Sequence, residues 1–131
     1  MKDSAPMKRT RSTITFVLLS FALTGFVTAQ AGEADVTHVG ITALGDNSYR
    51  IDTTVLHADA GWDHYANRWD VLTEDGALLG SRVLAHPHEN EQPFTRSTTL
   101  TIPDDVMEIT IQAHDSVHEL GGATITVAVP H

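Results

Sequence analysis

The sequence contains no cysteine, which excludes disulfide scaffolds, zinc–thiolate fingers, blue-copper centres and cysteine nucleophiles. Lysine is almost missing too, since Lys2 and Lys8 are the only two and both precede residue 32. From Gly32 to His131 four arginines face sixteen acids, a formal charge of −12 with histidines neutral. A surface of that sign repels phosphate backbones and anionic headgroups, so nucleic acid and acidic lipid are excluded as partners. The chain also lacks a His-Glu-x-x-His helix, a Gly-x-Ser-x-Gly elbow, a phosphate-cradling glycine loop and the acid spacing of an EF-hand. What remains is 131 residues, room for one small domain.

The basic residues Lys2, Lys8, Arg9 and Arg11 lead into the apolar run from Ile14 to Val27, and Ala29-Gln30-Ala31 follows. A charged start, a short apolar stretch and a small-x-small exit form the pattern of a secretory signal. Residues 1–31 are expected to be that signal, with cleavage releasing a domain of residues 32–131. The apolar stretch falls below the ~18–20 residues that spanning a bilayer requires, so no membrane span is expected once the signal is removed. The destination is the periplasm or the exterior.

After residue 32 the apolar pattern has period two. Alternation and turn residues predict strands at 36–44, 49–57, 65–73, 78–86, 94–102, 107–115 and 123–129. The turns are Gly45-Asp46-Asn47, Glu74-Asp75-Gly76, Pro103-Asp104-Asp105 and Gly121-Gly122. Inward positions read Tyr49, Ile51 and Val55, then Trp69 and Val71, then Ile109, Ile111 and Ala113, then Ile125, Val127 and Val129, each alternating with polar residues. Tyr65, Asn67 and Arg96 also fall on inward register positions. Half-apolar strands at this spacing predict an all-β fold, an antiparallel immunoglobulin-like or fibronectin-III-like β-sandwich of about seven strands.

In such a sandwich alternate connections share an end. One end receives short polar turns; the other receives residues 57–65, 86–93 and 114–122, which hold six of the eight histidines. Neutral imidazoles with a carboxylate suit Zn(II) or Cu(II). The candidate ligands are His57, His64, His86, His88 and His118. His86 and His88 flank Pro87 and share a face of an extended segment, whereas His114 points outward from its strand. Asp63, Glu91, Arg96 and Asp115 are the expected supporting groups: Arg96 bonds Glu91 or Asp115, and Asp115 or Glu119 is either an oxygen ligand or the acceptor that fixes an imidazole tautomer. A histidine at a strand end also serves simply to satisfy loop backbone. Concentration of six in three convergent loops favours the metal reading.

The function expected is metal carriage, buffering or sensing by an exported protein. Two alternatives stand beside it. One is a protein or glycan interaction module that uses Trp62, Tyr65 and Phe94 at the same end to hold another exported protein. The other is a metal-dependent enzyme with an open coordination position and Glu89, Glu91 or Asp63 as general base.

Three segments, His57-Ala58-Asp59-Ala60-Gly61-Trp62-Asp63-His64-Tyr65-Ala66, His86-Pro87-His88-Glu89-Asn90-Glu91-Gln92-Pro93-Phe94-Thr95-Arg96-Ser97 and His114-Asp115-Ser116-Val117-His118, resemble those of small exported bacterial proteins of uncharacterised function. That resemblance implies that these loops belong together and implies no activity. In size and compartment the chain is also similar to periplasmic copper-carrying sandwich proteins, whose amino-terminal histidine has no counterpart in Gly32-Glu33-Ala34.

Overall fold

The computed structural model describes residues 32–131, and the expected signal at 1–31 lies outside them. Seven strands follow in order: β1 (Asp35–Gly45), β2 (Ser48–Leu56), β3 (Ala66–Leu72), β4 (Leu78–Val83), β5 (Phe94–Thr101), β6 (Glu108–Asp115) and β7 (Ile125–Ala128). They form two antiparallel sheets, β1-β2-β5 and β4-β3-β6-β7, packed as the expected all-β sandwich. The hairpin between β1 and β2 turns at Asp46 and Asn47, both with positive φ, a conformation these short polar side chains tolerate and one that matches strand twist.

Alternation dictates the core. Tyr49, Ile51, Thr53 and Val55 of β2, with Phe94 and Ile102 at the two ends of the neighbouring β5, meet Trp69, Val71, Ile109, Ile111 and Ala113 of the facing sheet, and all are buried. Trp69 is the largest of these side chains and is fully enclosed.

One expectation fails at the start of β3. Tyr65 and Asn67 do not face inward; Ala66 does. The β3–β6 register runs Ala66↔Asp115 and then Arg68↔His114, so Asn67 is the extra residue of a β-bulge, which shifts the facing of everything before it by one. Asn67 instead meets His114 on the outer side, Oδ1 to Nδ1 at 2.6 Å. The fourth strand is shorter than expected, ending at Val83, which lengthens the following loop. Connections β2–β3, β4–β5 and β6–β7 share one end of the sandwich.

Candidate metal centre

The inward alternation of β2 and β6 continues past their apolar residues. On β2 the series 49, 51, 53, 55 reaches His57 just beyond the strand; on β6 the series 109, 111, 113 reaches Asp115 at its end. Both side chains have 0% exposure. One comes from each sheet, so the two polar groups close the core at the loop end.

Their partners arrive through tight turns. His64 returns toward His57 because the Ala60 amide bonds the His64 carbonyl at 2.7 Å and the His64 amide bonds Gly61 O at 3.3 Å, around Gly61 at φ +69°. His118 is swung back by an Asx-type turn: Asp115 Oδ1 accepts the amides of Val117 at 2.8 Å and His118 at 2.5 Å. Two bonds tie the loops together, from Ser116 N to Tyr65 O at 3.0 Å and from Tyr65 N to Ser116 Oγ at 3.1 Å.

The result is a ring of potential ligand atoms. His57 Nε2 lies 3.6 Å from Asp115 Oδ2, His64 Nε2 lies 3.4 Å from Asp115 Oδ1, and His118 Nδ1 lies 3.3 Å from Asp115 Oδ2 and 3.1 Å from His64 Nε2. A tetrahedral ion with bonds of ~2.0–2.1 Å places its ligand atoms about 3.3 Å apart. The four separations straddle that value. The ligand atoms of His57, His64 and Asp115 all lie within 4.8 Å of one another, and His118 joins through Asp115 and His64, outside that group.

Hydrogen bonding aims these atoms inward. His57 Nδ1 meets Asp59 Oδ1 at 2.5 Å; an ionised carboxylate only accepts, so Nδ1 carries a proton and, in the neutral ring, Nε2 presents its lone pair. That lone pair faces Asp115 Oδ2, another acceptor, and neither atom has a hydrogen-bond partner among the described residues. Two buried acceptors pointed at each other are costly unless a cation or proton lies between them. Burial opposes ionisation of Asp115, yet amide donation from His118 and Val117 and the nearby His57 and His118 rings hold its carboxyl below the usual range. The group is therefore anionic at neutral pH.

Asp59 organises the surroundings. Besides His57 its Oδ1 accepts Ala66 N at 3.0 Å, and its Oδ2 accepts His88 N at 2.7 Å. Gln92 adds a second tie, accepting His57 N at 3.0 Å and donating to His88 O at 3.0 Å. The histidine is thus oriented by a carboxylate that also binds the start of β3 and the β4–β5 loop, the arrangement that usually supports a metal-ligating imidazole.

Of the five expected ligands, His57, His64 and His118 gather around Asp115. His86 and His88 stand apart from that group: His88 stacks on Phe94 with centroids 4.0 Å apart, and His86 lies beside His88 at 4.6 Å. Asp63 is exposed and reaches the cluster only through its backbone carbonyl, 3.5 Å from Ser116 Oγ. Arg96 keeps its inward register position opposite Thr53 and pairs with Glu91 at 3.1 Å, not with Asp115. Asp59 was missed by sequence reasoning, as was the direct inward aim of Asp115. The second had a signal, because a carboxylate at the next inward position after Ala113 requires a cationic or hydrogen-bonding partner.

No family model matches the sequence, and no solved structure matches it. The chain is 37% identical over 95 residues to a protein of Halomicrobium mukohataei named "Putative lipoprotein", an alignment covering 72% of this chain and 47% of that one. The chain thus spans about half the length of this relative. Among the described residues no helix is long and apolar enough to cross a membrane.

Proposed function

We propose that this is an exported protein that binds one Zn(II) or Cu(II) ion through His57 Nε2, His64 Nε2, His118 Nδ1 and the Asp115 carboxylate, for carriage, buffering or sensing. The observation that carries the reading is the pair of buried, unpartnered acceptors, His57 Nε2 and Asp115 Oδ2, 3.6 Å apart inside a ring of further donors. A cation of about 2 Å bond length satisfies both at once. Three nitrogens and one oxygen suit the borderline divalent ions and disfavour Ca(II) and Mg(II), which take mainly oxygen. His64 is 16% exposed and His118 38% exposed, so the ion enters and leaves from the loop rim, as exchange with a partner demands. The relative's name supports export.

The test is titration of tag-free protein with Zn(II) and Cu(II) against a competing chelator. One equivalent at micromolar affinity or tighter is expected, weakened at least 100-fold by His57→Ala and by His64→Ala. Absence of stoichiometric binding, or binding untouched by both changes, refutes the proposal. A contact role is the second reading, favoured by Trp62, which is 66% exposed and packs edge-on to Tyr65 at 5.5 Å. It predicts that Trp62→Ala abolishes capture of a partner while metal binding is unchanged.

A further inference from the structure

The histidine pair left out of the gathered cluster has its own unexplained chemistry. His88 has a side chain only 4% exposed, and neither of its ring nitrogens has a hydrogen-bond partner among the described residues. Buried imidazoles almost always bond through at least one nitrogen, and an exception points to a missing partner. Its closest carboxylate oxygen, Asp59 Oδ2, is 4.0 Å from Nδ1, beyond hydrogen-bond reach, and that oxygen already accepts the His88 amide. A neutral ring with neither nitrogen bonded keeps a free lone pair.

His86 supplies the second half. Its Nδ1 lies 3.1 Å from Pro87 O; a carbonyl only accepts, so Nδ1 carries the proton and Nε2 is the bare nitrogen. The two rings are 4.6 Å apart and inclined by 39°. Two imidazoles on one ion at ~2.0 Å, in cis positions, have centroids roughly 4.5–5 Å apart. The spacing therefore suits a shared ion. Both residues line a cavity of about 350 Å³ that Glu89, Asn90 and Glu91 complete. Arg96 is held by two bonds to Glu91, at 3.1 and 3.4 Å.

We infer that the loop between β4 and β5 holds a second divalent-cation site, formed by His86 Nε2 and an unpartnered ring nitrogen of His88, and separate from the His57 centre. Two imidazole nitrogens on an open loop suit Cu(II). Waters fill its remaining positions, so this site is the weaker of the two. The inference does not depend on the His57 centre being a metal site.

Cu(II) titrated into tag-free protein, read by equilibrium stoichiometry and by ¹⁴N couplings in electron paramagnetic resonance, separates the possibilities. The expected result is two equivalents for the wild type, one for His86→Ala, and retention of the weaker equivalent by a His57→Ala/Asp115→Asn variant. His86 is exposed, so its truncation does not threaten folding. A single equivalent that His86→Ala removes upholds the loop site and refutes the His57 centre. A wild type that binds one equivalent regardless of His86, or a His86→Ala protein that still binds two, overturns the inference.

Discussion

Asp115→Asn separates a metal ligand from a structural carboxylate because the two roles predict opposite signs. In the metal-free protein the asparagine carbonyl keeps the amides of Val117 and His118, 2.8 and 2.5 Å from Asp115 Oδ1. The new NH₂ group takes the place of Oδ2, 3.6 Å from the unprotonated His57 Nε2, and turns an acceptor–acceptor contact into a donor–acceptor one. One such hydrogen bond contributes about 1 kcal/mol, so the metal-free variant is expected to be as stable as the wild type or slightly more so. In the presence of metal the order reverses. The variant loses an anionic ligand and binds at least about 100-fold more weakly, a loss of about 2.7 kcal/mol.

The assay is thermal unfolding with and without Zn(II) at 100 times the wild-type Kd. Binding at that ratio stabilises the wild type by about 2.7 kcal/mol, which for a domain of about 100 residues raises Tm by roughly 10–20 °C. At the same concentration the variant is only half saturated and gains about 0.4 kcal/mol, a rise of about 2–3 °C. An undiminished zinc shift in Asp115→Asn refutes its place as a ligand. A metal-free variant destabilised by several kcal/mol instead assigns the carboxylate a purely structural role.

Further outcomes follow from the same geometry. Asp59→Asn removes the carboxylate that fixes the His57 tautomer, so metal affinity is expected to fall about 10–100-fold, with the His57 ring-nitrogen shifts in NMR losing their single-tautomer pattern; unchanged shifts would contradict the positioning role. Acidification acts at sites remote from both histidine groups. The Asp52 carboxyl is lowered first by its bond from Ser97 and then by Arg50; burial of Asp70 works against ionisation but is outweighed by Ser81, Arg68 and Gln112. Both carboxylates bind protons more weakly folded than unfolded, so their stabilisation is full above the ordinary carboxylate pKa of ~4 and is lost as pH falls through the lowered folded values. Urea midpoints with chelator present should fall between pH 5 and pH 2.5, and a flat profile counts against these pairs. Gly122→Ala would put its Cβ 1.9 Å from Ala34 O, a backbone clash expected to cost several kcal/mol, whereas Gly80→Ala meets nothing within 4 Å and should leave Tm within a few degrees. Trp69→Ala empties the centre of the core and is expected to cost about 3–5 kcal/mol in a urea titration.

The fold was legible because period-two alternation is a local signal with a single physical cause: one face of each strand is buried. Tyr49, Ile51 and Val55 on β2 and Ile109, Ile111 and Ala113 on β6 follow it and lie in the core. It failed at Asn67, where a bulge that no local residue announces shifts the register. Bulges are set by how two strands fit together, and one strand's composition carries little of that. Convergence of the loops was legible as well, since topology alone brings the segments around His57, His64 and His118 to one end. Which imidazoles share a centre was not, because it depends on turn geometry: Gly61 and the Asx turn at Asp115 bring His64 and His118 back, while stacking on Phe94 holds His88 away.

The carboxylates show what the histidine count leaves out. Counting imidazoles ranked His86 and His88 beside His57, because residue type was weighed and facing was not. Inward register ranks differently: His57 and Asp115 are the positions at which the buried faces of β2 and β6 run into polar residues, one on each sheet, and among the described residues no arginine is bonded to either. A buried acid at such a place must be satisfied by amides, by a protonated base or by an ion. The amides of Val117 and His118 satisfy only Oδ1, and Asp59 commits the His57 proton to Nδ1. A metal ion or a second proton on His57 serves Oδ2 and His57 Nε2 together, and the metal titration distinguishes the two. The sandwich therefore does more than gather loops, since it drives one acid and one base from opposite sheets against each other.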